Sequence, residues 1–197
     1  MLDTVALEQG DLHPDPVRQF AAWYATASVA HPEEVAVATA TPDGRPSVRM
    51  ALLRGYGQRG FVFYTDRSSR KGRELQINPR AALAFHWDER QVRVEGIAAP
   101  VSDEESDAYW RGRPLESRYS ALASHQSQPV TDRTELEDAV ARLRAKYGDD
   151  PPRPQRWGGV RITADAYEFW QRGPNRLHDR FRYEQAVGGW RLQRLAP

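Results

Sequence analysis

The chain has 197 residues, 40% of them hydrophobic and 28% charged, with 28 basic against 27 acidic side chains. This length suits one domain with its own core, and the composition is that of a globular rather than a disordered chain; a net charge of +1 gives no reason to expect nucleic acid as a partner. Cysteine is absent, which excludes disulfides, thiol catalysis and sulfur-ligated metals. The opening Met1-Leu2-Asp3-Thr4-Val5 carries no basic and apolar leader pattern, and no run of about 18 apolar residues occurs. A cytoplasmic protein with no membrane partner is expected.

Residues 1 to 14 read as a flexible arm and 15 to 197 as a single domain. Asp15-Pro16 supplies an N-cap and a proline at the first helical position, and Val17, Phe20, Trp23 and Tyr24 recur on one side, predicting a helix to about Ala27. Val35 to Thr41 alternates as a strand, Pro42-Asp43-Gly44 turns the chain, and Pro46 to Arg54 forms the next strand. On that strand Arg49, Ala51 and Leu53 share one face, while Val48, Met50, Leu52 and Arg54 share the other.

Gly55-Tyr56-Gly57-Gln58-Arg59-Gly60 spells G-x-G-x-x-G, but the dinucleotide fingerprint opens a helix and here Phe61-Val62-Phe63-Tyr64 follows as a strand. The glycines therefore form a hairpin turn. Ser68 and Ser69 are N-cap types for a helix to Ile77, stopped by Asn78-Pro79. Arg70 and Lys71 fall in its first turn, where the helix dipole disfavours cations unless an anion offsets them. Val48 to Gly72 thus reads as an anion site, most simply for phosphate.

Strands follow at Ala81 to Trp87 and Gln91 to Ala98. Ser102 to Glu105 is a capping box for a helix through Trp110 that breaks at Gly112 to Pro114, with a short helix at Glu116 to Ala123 and another at Thr134 to Tyr147. After a proline-rich loop at Asp149 to Gln155, strands are predicted at Val160 to Thr163, Ala166 to Gln171, Arg180 to Glu184 and Trp190 to Leu195. Consecutive strands without βαβ alternation predict a mainly β, α+β chain, an antiparallel barrel with peripheral helices.

Two further constellations stand out. Tyr109 to Ser117, with Arg113 between them and Gln126-Ser127 beyond, reads by itself as an amphipathic helix with a basic end. In Glu168 to Arg180, a glycine-proline loop carries Arg176, His178 and Arg180 at alternate positions, which would present all three on one side of an extended chain, a place for a planar, electron-rich ligand. The histidines at 13, 31, 86, 125 and 178 lack ligand spacing, so no metal site is expected, and no nucleophile elbow is visible.

Together these stretches resemble the pyridoxine (pyridoxamine) 5'-phosphate oxidase family. The resemblance is carried, over roughly Asp11 to Pro197, by Arg49-Met-Ala-Leu-Leu-Arg54, Phe63-Tyr-Thr65, Ser69-Arg-Lys71, Arg90-Gln-Val92, Gln126-Ser127, Trp157-Gly-Gly159, Glu168-Phe-Trp-Gln171, Arg176-Leu-His-Asp-Arg180 and Arg194-Leu-Ala-Pro197. It implies an antiparallel split β-barrel homodimer with flavin mononucleotide (FMN) at the subunit interface. FMN would be held by Arg49, Met50, Ala51, Leu52, Leu53, Arg54, Tyr64, Thr65, Arg70, Lys71, Gln91, Gln126, Ser127, Trp170 and Arg180. Arg54, Tyr109, Arg113 and Ser117 would bind the substrate's phosphate, with Arg176 and His178 beside its ring as the catalytic pair. The implied reaction oxidises pyridoxine or pyridoxamine 5'-phosphate to pyridoxal 5'-phosphate, with dioxygen giving hydrogen peroxide.

Three stretches depart from the family's pattern, all on the substrate side. Arg54 stands where lysine is usual, no Arg-x-x-Tyr segment precedes Arg18, and Ser120-Ala121-Leu122 replaces Gly-Ala-Trp. The motifs leave open a same-fold FMN oxidase of another ring substrate, of the phenazine-pathway type, and a non-catalytic protein that binds flavin or pyridoxal phosphate.

Overall fold

The structure, a computed structural model, describes residues 6–197. Glu34–Ala40 (β1) alternates buried Val35 and Val37 with half-exposed alanines, and pairs antiparallel with Pro46–Leu52 (β2) through the turn at Gly44. Gly55–Gly57 (β3) and Gly60–Asp66 (β4) form the glycine hairpin, so the G-x-G-x-x-G run is a turn between strands. Gly60 has φ +115° and lies against the Ile162 carbonyl, a place no side chain could enter.

Arg80–Trp87 (β5) pairs over its full length with Arg90–Pro100 (β6), and β6 pairs on its other side with Trp157–Gln171 (β7). Sequence reading expects two strands in this last segment; there is one of 15 residues. Its register steps so that Glu95 faces Ala166 while Gly96 faces Ala164, which leaves Asp165 as the extra residue of a β-bulge. The polar Ala164-Asp165 interruption is that bulge rather than a loop. Asp179–Ala186 (β8) and Gly189–Leu195 (β9) complete the sheet as a hairpin beside the second half of β7, whose first half pairs with β4.

The order β2-β1-β5-β6-β7-β4-β3 makes β2 an edge strand along the path, yet the sheet curls until its ends meet. The Leu53 N–H donates to Glu33 O at 2.7 Å and the Arg54 N–H to Val62 O at 2.8 Å, so Arg54 sits at the seam between β2 and β4. This is an antiparallel split barrel with helices outside, as the sequence predicts. Pro16–Ala25 (α1) inserts Phe20, fully buried, edge-on against Phe61, Phe85 and Trp87 with ring centroids 4.8 to 5.4 Å away.

Of the stretch read as an arm over 1 to 14, residues 1 to 5 lie outside the described residues and the rest packs against the body of the chain. Leu7 and Leu12 are buried in the core, the Leu7 N–H donates to Asp179 at 2.9 Å, and the Tyr183 hydroxyl donates to His13 O at 2.8 Å. Apolar burial and partners from the far end of the chain fasten this segment. Arg70–Ile77 (α2), Asp103–Arg111 (α3), Leu115–Ala123 (α4) and Arg133–Tyr147 (α5) follow close to their predicted bounds. No helix among the described residues is long and apolar enough to cross a membrane.

Candidate active site

The turn from β4 into α2 is built by local hydrogen bonds. Asp66, buried at the strand's end, accepts from the Ser68 N–H and hydroxyl, and the Ser69 side chain accepts from the Gly72 N–H. Gly72 lies so close to the Arg67 carbonyl that an added Cβ would stand 2.2 Å from its oxygen. The helix therefore starts tightly and Lys71 turns inward. Its Nζ donates to Thr65 Oγ1 at 3.1 Å and to Gln126 Oε1 at 2.9 Å, and it forms no ion pair among the described residues. Burial, with the nearby Arg49 charge adding to it, pushes this lysine down to about 8.

Arg49 and Arg70 behave differently. Both reach Glu74, at 3.5 and 2.9 Å, and Arg49 also donates to Thr39 and Ser47 at 2.6 Å each. Burial alone would raise the Glu74 carboxyl, but hydrogen bonds from Ser47, Thr39 and Arg70 outweigh it and hold it down to about 2. Part of the charge offset that the sequence assigns to a bound anion is thus internal: Glu74, at i+4 from Arg70, is a signal the sequence carries and the motif reading misses.

A cavity of about 1010 Å³ opens beside Lys71. Of the residues singled out from the sequence, Met50, Ala51, Leu52, Arg54, Tyr64 and Thr65 line it, as do Lys71, Tyr109, Arg113, Ser117 and Gln126. At its far side, Tyr109 stacks on Tyr64 at 3.8 Å and Tyr64 on Trp157 at 5.4 Å. Arg113 lies over Trp157 at 4.6 Å, its Nη1 is buried without a hydrogen-bond partner, and burial lowers its pKa, with the Arg54 charge acting the same way. Glycine at 159 makes room for this stack, since a Cβ there would stand 3.0 Å from the Tyr64 ring.

The cavity thus carries cations at Lys71 and at the Arg54/Arg113 pair, carboxylates at Asp66 and Glu116, and an aromatic wall of Tyr64, Tyr109 and Trp157. Asp66, missed from the sequence although its position before Ser68 is an Asx-turn signal, also pairs with Arg156 at 2.9 Å. Arg156 in turn donates to the carbonyls of Ala121, Leu122 and Ser124 at the end of α4, tying that cavity wall to the Lys71 turn.

Arg49, Leu53, Arg70, Gln91 and Ser127 do not line this cavity, nor do Trp170, Arg176, His178 and Arg180. Gln91 and Trp170 are register partners on β6 and β7. Arg180 is held by Glu168, 3% exposed, at 2.9 Å and by Ala196 O at 2.8 Å. Arg176 and His178 are not on an extended chain: Pro174–Arg176 is a 3-10 turn in which Asn175 and Arg176 have φ of 54° and 64°. His178 lies against Trp170, ring centroids 4.7 Å apart, and lines a second cavity of about 370 Å³ with Arg194 and Leu195. The two cavities share no lining residue.

Residues 24–147 match the family described as pyridoxamine 5'-phosphate oxidase, and residues 157–197 match the pyridoxine 5'-phosphate oxidase C-terminal dimerisation region. A protein of Cupriavidus taiwanensis named pyridoxine/pyridoxamine 5'-phosphate oxidase is 50% identical over 198 residues, spanning 98% of this chain and 93% of that protein. One of the same name from Bordetella petrii is 53% identical over 188 residues, spanning 92% and 89%. Among solved structures, PhzG from Burkholderia lata 383 in complex with tetrahydrophenazine-1-carboxylic acid superposes with a TM-score of 0.92 at 36% identity, over 99% of this chain and 100% of that one. A pyridoxamine 5'-phosphate oxidase-related, FMN binding protein from Nostoc punctiforme, 19% identical with a TM-score of 0.71 over 92% of this chain and 97% of that one, shares the fold.

Proposed function

The chain belongs to the pyridoxamine 5'-phosphate oxidase family, and on that footing we propose that it is an FMN-dependent oxidase converting pyridoxine 5'-phosphate or pyridoxamine 5'-phosphate to pyridoxal 5'-phosphate, with dioxygen as acceptor, hydrogen peroxide as second product and, for the amine, water taken up and ammonia released. The observation that carries this reading is that a buried lysine and a half-buried arginine of one cavity form no ion pair among the described residues. Lys71 is 7% exposed and bonded only to neutral oxygens, and Arg113 keeps an unpartnered Nη1 against Trp157. Buried charge without a partner costs several kcal/mol, roughly, unless a ligand supplies it. Two phosphates, one on each ligand, fit two such places.

Lys71, with Arg49 and Arg70 behind it, would hold the FMN phosphate. Arg54, Tyr109, Arg113 and Ser117 would hold that of the substrate. FMN, when bound, supplies the acceptor for the hydride leaving the substrate's C4' carbon and passes the electrons to dioxygen. The chain's own contribution is placement: the aromatic wall and the two cationic poles orient the ligands and keep water out. Arg176 and His178 would lie against the substrate ring and stabilise charge as it develops.

These two residues, with Gln91, Trp170 and Arg180, lie away from the Lys71 cavity of their own chain. A homodimer, in keeping with the match of residues 157–197 to a dimerisation region, brings a second copy of them. We place FMN at that interface. Val48 and Met50, 67% and 61% exposed on one face of β2 beside the cavity, support this, since a second copy would cover them.

A second reading, an FMN oxidase of a reduced phenazine, is favoured by the superposition on PhzG over the whole chain. The higher identity to the vitamer oxidases outweighs it. Purified protein given FMN, air and either vitamer phosphate should form peroxide and pyridoxal 5'-phosphate in equal amounts. Oxidation of a dihydrophenazine carboxylic acid with no turnover of either vitamer would overturn the first reading in favour of the second.

A further inference from the structure

The loop between β7 and β8 fixes more than the place of His178. An added Cβ at Gly173 would stand 1.9 Å from the Leu177 carbonyl oxygen, so the chain returns onto itself there, and the Leu177 N–H closes the turn on Pro174 O at 2.9 Å. Asn175 and Arg176 accept left-handed backbone at φ 54° and 64° to make that return. The result is that the Gly173 N–H donates to Nδ1 of His178 at 3.2 Å while the Trp170 ring lies against the imidazole at 4.7 Å. The ring makes no other hydrogen bond among the described residues, and it lines the second cavity.

A neutral imidazole carries its proton on one nitrogen only, so a nitrogen that accepts a hydrogen bond assigns the proton to the other. We propose that the backbone N–H of Gly173 is the positioning group that sets the tautomer of His178, so that the side chain offers the substrate an Nε2–H hydrogen-bond donor rather than a proton-accepting nitrogen. The ligand it serves is a phosphorylated pyridine bearing a polar ring substituent. That part rests on the function proposed above. With Nδ1 engaged, the residue does not take a proton from the substrate through that atom, and its free edge is a fixed donor for oxygen or nitrogen as negative charge grows there.

The test uses the FMN-loaded protein labelled with 15N at histidine, with His178 assigned by its loss in His178→Asn. A pyrrole-type resonance at Nε2 and a pyridine-type one at Nδ1 are expected; the reverse assignment overturns the proposal. Two variants separate tautomer from packing. The Asn side chain can still accept from Gly173 but has no donor at the far edge, whereas the Gln amide reaches the Nε2 position but leaves Gly173 unpaired. His178→Asn should keep the melting temperature and lose roughly 100-fold in kcat, and His178→Gln should melt lower yet retain at least tenfold more activity than Asn. Asn as active as Gln, or more so, would refute the donor role. If the unaltered protein oxidises neither vitamer phosphate, the functional reading fails, while the resonance assignment still decides the tautomer.

Discussion

Lys71 Nζ and Gln126 Oε1 meet at 2.9 Å across 55 positions of chain, in a cavity where this cation forms no ion pair among the described residues. Replacing Lys71 by Met should therefore weaken FMN binding by roughly 10- to 100-fold, the range for a charge-assisted hydrogen bond. Riboflavin, which lacks the phosphate, should bind the variant and the original alike. Flavin fluorescence titration measures both; equal losses would remove Lys71 from the phosphate site.

The same lysine gives a pH signature. Its value is pushed down to about 8, so it loses its proton as pH rises through 8, and affinity for FMN should fall between pH 7 and 9.5 while affinity for riboflavin stays level. In the ligand-free protein the sign is opposite. A lysine depressed by folding costs stability below its folded value, and that cost is relieved as pH rises from about 8 toward the ordinary lysine range. Chemical denaturation across this window checks the second statement.

Arg113→Ala should raise KM for the phosphorylated substrate by roughly 10- to 100-fold and leave FMN retention unchanged. Loss of both together would mean that the two cationic poles serve one ligand. Steady-state kinetics on protein of known flavin content makes the distinction.

Glu74 contributes stability that is present above the ordinary carboxylate range and is lost as pH falls through about 2. In Glu74→Gln the acid side of the stability profile should flatten, and the variant should be less stable than the original at pH 7. A melting temperature series from pH 7 to pH 3 reads this directly, and an unchanged acid limb would show that the carboxylate is not buried among its four donors.

Gly159→Ala would set a Cβ 2.5 Å from Val101 Cγ2 and 3.0 Å from the Tyr64 ring. Overpacking of this kind costs roughly 1 to 3 kcal/mol, and the Tyr64 ring should tilt off Tyr109. A lowered melting temperature with weakened substrate binding is expected.

Much of this was legible in the sequence because it is written locally. The glycine hairpin, the alternating strand from Pro46 and the Ser69 cap depend on neighbours a few residues away; the hairpin and the cap are found as read, and the strand ends at Leu52, two residues before the Arg54 expected. What was not legible depends on distant partners. Leu7 and Leu12 look like part of a loose arm until Asp179 and Tyr183 fasten the segment, and Ala164-Asp165 looks like a break until the bulge opposite Glu95 and Gly96 absorbs it. The alternate spacing of Arg176, His178 and Arg180 suggested one shared side. A left-handed turn at 175 and 176, which spacing does not encode, takes Arg176 out of the extended run that reading assumed.

The central claim is that a cationic cavity receives a phosphorylated vitamer for oxidation by bound FMN, and anaerobic mixing of the FMN-loaded protein with substrate tests it most directly. Pyridoxine 5'-phosphate should bleach the flavin absorbance in a single turnover, and unphosphorylated pyridoxine at the same concentration should do so far more slowly. No bleaching by either vitamer phosphate, or equal bleaching with and without the phosphate, would contradict it.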